Sequence, residues 1–346
     1  MTTTDSRTGE QGKAEDTTGR VPGGAAERPT EIPPKGWFQI AKRGWKEAQV
    51  DQVPLLSAGV AFYAFLALFP ALIAIVSLYG IIADPQTIAT QMESVAKTLP
   101  EAARQLIIDQ VNQLAARRRA LSIGAFVGIV IALFSASGGM QNLITAVNMA
   151  YDEEEKSNFV KKRLRALILT FGAIIFMVIM LAIVAALPPL LEQFFGGSAI
   201  RWVLQILGYI VLFVIVTAAL AILYRFAPQR DAPKMKWVSI GAMVATAIWL
   251  LASIGFSIYT ATVGNYAKTY GTFAGIVILL FWLWLTSYAI LLGAEINAES
   301  EQQTIADTTK GRPEPLGERG AVKADSVPGD EPDKADAESE RAGGKT

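Results

Sequence analysis

The sequence predicts an all-α, polytopic membrane bundle of six transmembrane helices, with an external amphipathic helical segment between the first two. Three observations carry that prediction. Hydrophobic residues make up 52% of the 346 residues and charged residues 18%, with a mean hydropathy of +0.35. Apolar runs of about 20 residues or more, nearly free of charge, recur along the middle of the chain, and that is the length needed to cross a bilayer core as a helix. The charges crowd into two ends rich in Gly, Glu, Lys, Asp and Pro, which hold too little large apolar surface to offset the entropy of folding. The expected organisation is a disordered tail over residues 1–34, a membrane domain over 35–301 and a disordered charged tail over 302–346.

The N-terminal stretch has no apolar core of the kind a cleavable secretory signal needs, so the first span is expected to direct insertion. That span, Leu55 to Ile82, carries Pro70 near its middle. Proline removes one backbone hydrogen bond and crowds the preceding turn, which predicts a kink near Leu66 to Pro70; such kinks also serve as plain packing features in membrane helices. After it, Ile88, Met92, Val95 and Leu99 recur at helical spacing, and beyond Pro100 so do Ala103, Leu106, Val111 and Leu114. Two amphipathic helices fit this pattern, lying in the outer interface or folding over the bundle as a lid, with a structural cap favoured over a gating role.

The second span, Leu121 to Val147, is the most polar. Gly138, Gln141, Asn142, Thr145 and Asn148 fall near one helical face, with Gly139 beside them. A polar face in lipid turns toward other helices or toward water. Interhelical hydrogen bonds, worth ~1 kcal/mol each, account for it as readily as a polar cavity or pathway does. The remaining spans are Ala166 to Leu187, Trp202 to Tyr224, Trp237 to Thr260 and Phe273 to Ala294. Helices are required because an unpaired backbone amide in lipid costs several kcal/mol. Trp202, Tyr224 and Trp237 stand at span ends, where amphipathic rings favour the headgroup zone. Gly124 with Gly128, and Gly271 with Gly275, have the four-residue spacing that lets helix backbones approach closely. Glu295 and Asn297 end the last span. A carboxylate there suits an ion or proton path with Arg225 as its partner, or simple hydration at the interface.

Orientation follows from Lys and Arg near the span ends. One side receives Lys35, Lys42, Arg43, Lys46, Lys156, Lys161, Lys162, Arg163, Arg165, Arg225, Arg230, Lys234 and Lys236. The other receives Lys97, Arg104, Arg117, Arg118, Arg119, Arg201 and Lys268. Thirteen against seven places both termini in the cytoplasm.

Several classes are disfavoured. Net charge is zero and no basic stripe is present, so nucleic acid is not an expected partner. With no cysteine and no histidine, the usual metal ligands, thiol nucleophiles and the commonest general base are missing. No catalytic, cofactor-binding or metal-binding residue is assigned, no cofactor is expected, and the acidic run Asp152 to Glu155 reads as a solvated loop.

Four segments together are recognisable: Ala61-Phe-Tyr-Ala-Phe-Leu-Ala-Leu-Phe-Pro70, Tyr224-Arg-Phe-Ala-Pro228, Tyr270-Gly271 and Leu291-Leu-Gly-Ala-Glu-Ile-Asn297. In this order the chain resembles the YihY/virulence factor BrkB family over roughly Gly36 to Glu301. It departs at Phe134, where the family pattern leads one to expect tryptophan. The resemblance implies a multi-pass protein of the bacterial cytoplasmic (inner) membrane, in a family linked to serum resistance and to moving lipid or envelope precursors. An older ribonuclease label for that family conflicts with a chain lacking histidine and a carboxylate cluster in its membrane domain. The expected role is transport or handling of a lipid or small-molecule substrate, with membrane lipids as surroundings. The alternative is a scaffold recruiting protein partners through its tails. An enzyme is not expected.

Overall fold

The computed structural model describes residues 21–79, 104, 108, 123–195, 198–262 and 272–329. Among them are seven α-helices: α1 (Pro34–Val50), α2 (Val53–Tyr79), α3 (Ile123–Ala150), α4 (Phe159–Phe195), α5 (Ser198–Phe226), α6 (Met235–Thr262) and α7 (Thr272–Gln302). Windows in α2, α3, α4, α6 and α7 are long and apolar enough to cross a membrane, and α5 carries an apolar stretch at Ile210–Phe226. The protein is an all-helical membrane bundle. The expected amphipathic segment after the first span lies outside the described residues, apart from Arg104 and Ile108, and so does Gly271.

The helices alternate in direction. The starts of α2, α4 and α6 and the ends of α3, α5 and α7 meet at one end of the bundle, here termed the base. At the base α1 packs against α7, and the sequence explains how. Gly36, Ile40, Gly44 and Ala48 recur every four residues and are buried, which gives α1 one smooth, small-residue face. Its Phe38 and Trp45 point away from the protein, exposed, the arrangement of a helix lying along a membrane interface. The corner into α2 is closed by Gln52 in a left-handed conformation (φ 53°), and the end of α3 is closed in the same way by Asp152 (φ 55°).

The core sits in the base half of the bundle, where Val60, Val147, Ala150, Tyr151, Tyr224, Ala242, Ala245, Leu291 and Ala294 meet. Small residues set its geometry. A Cβ on Gly139 would lie 3.0 Å from Ala67 Cβ and 3.1 Å from Tyr63 O, so α3 and α2 touch closely there, while one on Gly138 would meet open space. Gly275 is buried on α7, Gly124 and Gly128 fall on α3, and α2 continues through Pro70. Outward faces elsewhere are greasy: Val214, Leu251, Ile254, Ile258 and Val277 are exposed, a surface that lipid tolerates and water does not.

Two expectations about the tails are corrected. Residues 303–329 form an irregular strap folded across the base, where composition predicts disorder. Residues 21–33 likewise form turns on the base, including a 3-10 turn at Pro29–Glu31. Small apolar contacts and hydrogen bonds hold them together: Ala26 and Ile32 cluster with Ile40 and Trp237, and Ala321, Ala324 and Val327 are buried in the strap. Ile305 N donates to Gly24 O at 2.9 Å, and Thr304 Oγ1 donates to Ala26 O at 2.7 Å. Lys234 N donates to Thr308 O at 2.8 Å and Lys310 N to Ala232 O at 2.9 Å, one antiparallel bridge joining the strap to the α5–α6 corner. Arg319, buried, satisfies the carbonyls of Ile305 at 2.6 Å and Ala324 at 2.7 Å. Residues 1–20 and 330–346 lie outside the described residues.

Asp307 gives the strap a pH dependence. Burial alone would raise its carboxyl, but donation from the Thr309 hydroxyl and amide and from the Glu314 amide outweighs burial and holds it below the ordinary carboxylate range. The folded value is thus the lower one, so this contribution is complete above the unfolded value near 3.8 and is lost as pH falls through the folded value. Limited proteolysis of the strap is expected to accelerate on acidification below that point, and Asp307→Asn is expected to remove this acid-side dependence.

Candidate functional site

Among the described residues, the groups on the polar face of α3 are engaged separately. Asn142 Nδ2 donates to Gly138 O at 2.9 Å and Thr145 Oγ1 to Gln141 O at 3.1 Å, both within the helix. Asn148, buried, accepts from Gln229 N at 2.8 Å and donates to Glu155 at 3.4 Å, tying the α3–α4 corner to the α5–α6 corner. Within the acidic run, burial pushes the Glu153 carboxyl above its ordinary value, although Val322 N donates to it at 2.9 Å.

Asn297 is a packing residue. It accepts from Gly241 N at 2.7 Å and donates to Val238 O at 3.1 Å, joining α7 to α6. Arg225 donates to Pro233 O at 2.9 Å and lies beside Phe226, so it caps its own corner instead of pairing with Glu295. Glu295 is buried, and neither carboxylate oxygen has a hydrogen-bond partner among the described residues. The seven polar residues singled out in the sequence are therefore not brought together.

What the structure brings together lies elsewhere. Arg163, near the start of α4, donates from Nη2 to Phe134 O at 2.6 Å and from Nη1 to Gln141 Oε1 at 3.4 Å. Its guanidinium sits 3.8 Å from the centroid of the Phe134 ring. Phe134 precedes the end of α3 by sixteen residues (150 − 134), about 24 Å at 1.5 Å per residue. At the base end of α3, Asn148 and Ser157, which lies just ahead of α4, both bond Gln229, Ser157 N donating to its Oε1 at 3.2 Å, so the last polar residue of α3 is met by the two corners. The corner opens sideways: Val130, Ile131, Phe134, Leu164 and Ile168 around the guanidinium are exposed.

A second polar constellation holds the base. Arg230 and Glu301 form a buried two-bonded pair at 3.0 and 2.6 Å, and Arg230 lies 4.2 Å over the Tyr151 ring. Arg43 pairs with Glu299 at 2.6 Å. Lys323 of the strap reaches Glu299 at 2.9 Å and Asp152 at 3.0 Å.

Three of the four recognised segments fall on this frame, the first on α2, the second on the α5 corner and the last on the α6-facing side of α7, while Tyr270-Gly271 lies outside the described residues. The family model described as virulence factor BrkB matches residues 45–316, most of the chain. The chain belongs to the virulence factor BrkB family. A ribonuclease-like protein of Bacillus subtilis, YfkH, is 32% identical over 253 residues, covering 70% of this chain and 88% of its own. A UPF0761 membrane protein of Aeromonas salmonicida is 25% identical over 73% of this chain and 86% of its own, and one of Verminephrobacter eiseniae is 23% identical over 76% and 62%. No solved structure matches.

For a BrkB-family chain, Arg163 is the residue the sequence reading passed over. It counted only as one of the charges that set orientation. Two signals pointed to it: Lys161, Lys162, Arg163 and Arg165 cluster ahead of the third span, and Phe134, the departure from the family pattern, is the ring on which Arg163 rests.

Proposed function

We propose that this BrkB-family protein handles anionic lipids or lipid-linked envelope precursors, taking the headgroup at the lateral corner between α3 and α4. One observation carries the reading. Arg163 is a half-buried guanidinium resting on the exposed Phe134 ring near the base end of α4, and an ionisable group held against apolar side chains of a membrane helix is a functional candidate by default. Arginine matches phosphate geometry, and Lys161, Lys162 and Arg165 add attraction for anionic headgroups at about 1 kcal/mol each. The separate packing of Gln141, Asn142, Asn297 and Arg225 removes support from a central pathway for a water-soluble substrate.

The base is inferred to face the cytoplasm, from the excess of Lys and Arg on that side. A scaffold role through residues 303–329 is less favoured, because their polar groups are engaged with the base.

The test is reconstitution. Proteoliposomes of the purified chain are expected to move fluorescent phosphatidylglycerol between leaflets faster than protein-free liposomes. Arg163→Ala is expected to slow that movement by about tenfold, the loss of roughly 1.4 kcal/mol of headgroup interaction. Protein that moves no lipid, or an Arg163→Ala rate equal to wild type, contradicts the reading.

A further inference from the structure

We propose that Asp152, Glu295 and Glu299 form a seat for a primary ammonium cation, filled in this conformation by Lys323 of the chain's own strap. The inference stands apart from the lipid-handling reading and concerns the opposite, water-facing side of the base.

Glu295 and Glu299 are one turn apart on α7, so their side chains leave the same face of the helix. Glu299 and Asp152 hold the Lys323 ammonium at 2.9 and 3.0 Å, the lengths of charge-assisted hydrogen bonds. Lys323 and Glu299 are both buried, so this is not a surface ion pair of small worth. Glu295 supplies the independent observation. It is 1% exposed, both oxygens lack a hydrogen-bond partner among the described residues, and it lies within electrostatic reach of Asp51, Lys323, Glu299 and Asp152. A buried carboxyl with nothing to bond is costly unless something else completes it.

The strap is a separable provider of the cation. All three carboxylates lie within residues 45–316, the stretch matched by the family, whereas Lys323 lies beyond it. Lys323 also enters on an irregular segment held by hydrogen bonds and small apolar contacts, so the ammonium leaves whenever that segment lifts. A seat vacated in this way keeps Arg43 on one oxygen of Glu299, while the other Glu299 oxygen and Asp152 lose the ammonium they held and Glu295 stays without a hydrogen-bond partner among the described residues. A free primary ammonium, three N–H donors on a compact charge, matches what Lys323 provides. A solute amine and the amino headgroup of a lipid share this chemistry.

Full-length Lys323→Ala in detergent is expected to melt below wild type. Methylammonium chloride is expected to raise its melting temperature by about 5 °C at saturation through mass action, and tetramethylammonium chloride at equal ionic strength is not. Adding Glu295→Gln is expected to abolish the rise. In wild type, methylammonium competes with Lys323, so hydrogen exchange across residues 317–327 is expected to accelerate; this arm decides the matter if the variant does not fold. Nanodiscs of phosphatidylethanolamine against phosphatidylcholine separate the sources, since only a lipid-borne amine reproduces the effect there. Equal responses to methylammonium and tetramethylammonium, in the variant or in wild type, overturn the assignment.

Discussion

Arg230→Ala is expected to destabilise the protein by about 3–5 kcal/mol, the usual consequence of removing one partner from a buried ion pair. The side chains of Arg230 and Glu301 are 1% and 0% exposed, and two parallel hydrogen bonds join them. Thr308 also donates to Glu301 at 2.9 Å, so the strap is fastened to the same carboxylate. Truncation leaves that carboxylate buried with only the threonine hydroxyl, and the Tyr151 ring loses the cation lying over it. Thermal unfolding followed by tryptophan fluorescence reads the loss. Arg230→Lys is expected to recover only part of it, because an ammonium cannot reproduce the planar fork. The double change Arg230→Met with Glu301→Met is expected to stand well above either single change, since it leaves no uncompensated charge. A loss under about 1 kcal/mol for Arg230→Ala would mean the pair is hydrated rather than buried.

Gly293→Val is expected to have a comparable effect through sterics. A Cβ at Gly293 would lie 2.5 Å from Ala245 Cβ, 2.6 Å from the Tyr224 hydroxyl and 2.7 Å from Gly241 O. Those neighbours have no easy way to move. Tyr224 is fully buried and donates to Ile290 O at 2.7 Å, while Gly241 is fixed by Asn297. Overpacking of this kind costs about 1–3 kcal/mol, and here the backbones themselves must part, which adds to it. The expected outcome is poor recovery of monodisperse protein on size exclusion, with Gly241→Val failing in the same way. Gly138→Ala is the control: its Cβ meets open space, and alanine favours a helix by about 1 kcal/mol, so stability should hold or rise.

These two sites show what was legible in the sequence. Helix identity was, because the bilayer imposes both length and hydrophobicity: within the described residues each expected span falls on a helix, and five of those helices carry a window long enough to cross a membrane. The main boundary difference has a physical cause. The last span was expected to stop at Ala294, where polar residues begin, yet α7 continues to Gln302 because Glu299, Glu301 and Gln302 are buried by α1 and the strap. Hydropathy marks where lipid ends, not where a helix ends. The helix α1 was legible in principle: Gly36, Gly44 and Ala48, with Ile40 between them, are a packing face, but the surrounding charges drew attention to orientation instead. The strap was not legible, since nothing in the composition of residues 303–329 encodes which carbonyls Arg319 will meet.

The candidate site was legible only in fragments. Polar side chains on a membrane helix point inward, but whether they meet one another depends on which helix or corner stands opposite each. Gln141 turns out to share Arg163 with Phe134, whereas Asn148 bonds the adjoining corner. Glu295 was rightly marked as unusual, and its expected partner Arg225 caps Pro233 instead. The cation within its electrostatic reach is Lys323, from a segment expected to be unstructured, with Asp51 as the stronger neighbouring charge.

The chain contains no cysteine, so single cysteines can report on the account directly. Leu251→Cys and Val277→Cys place thiols on exposed faces of α6 and α7, and Val322→Cys places one on the exposed edge of the strap. In native membranes opened to the base side, a charged, membrane-impermeant maleimide is expected to label Val322→Cys readily and to leave Leu251→Cys and Val277→Cys unlabelled until detergent or denaturant is added. Labelling of the α6 and α7 thiols as fast as the strap thiol would show that water, not hydrocarbon, surrounds the bundle.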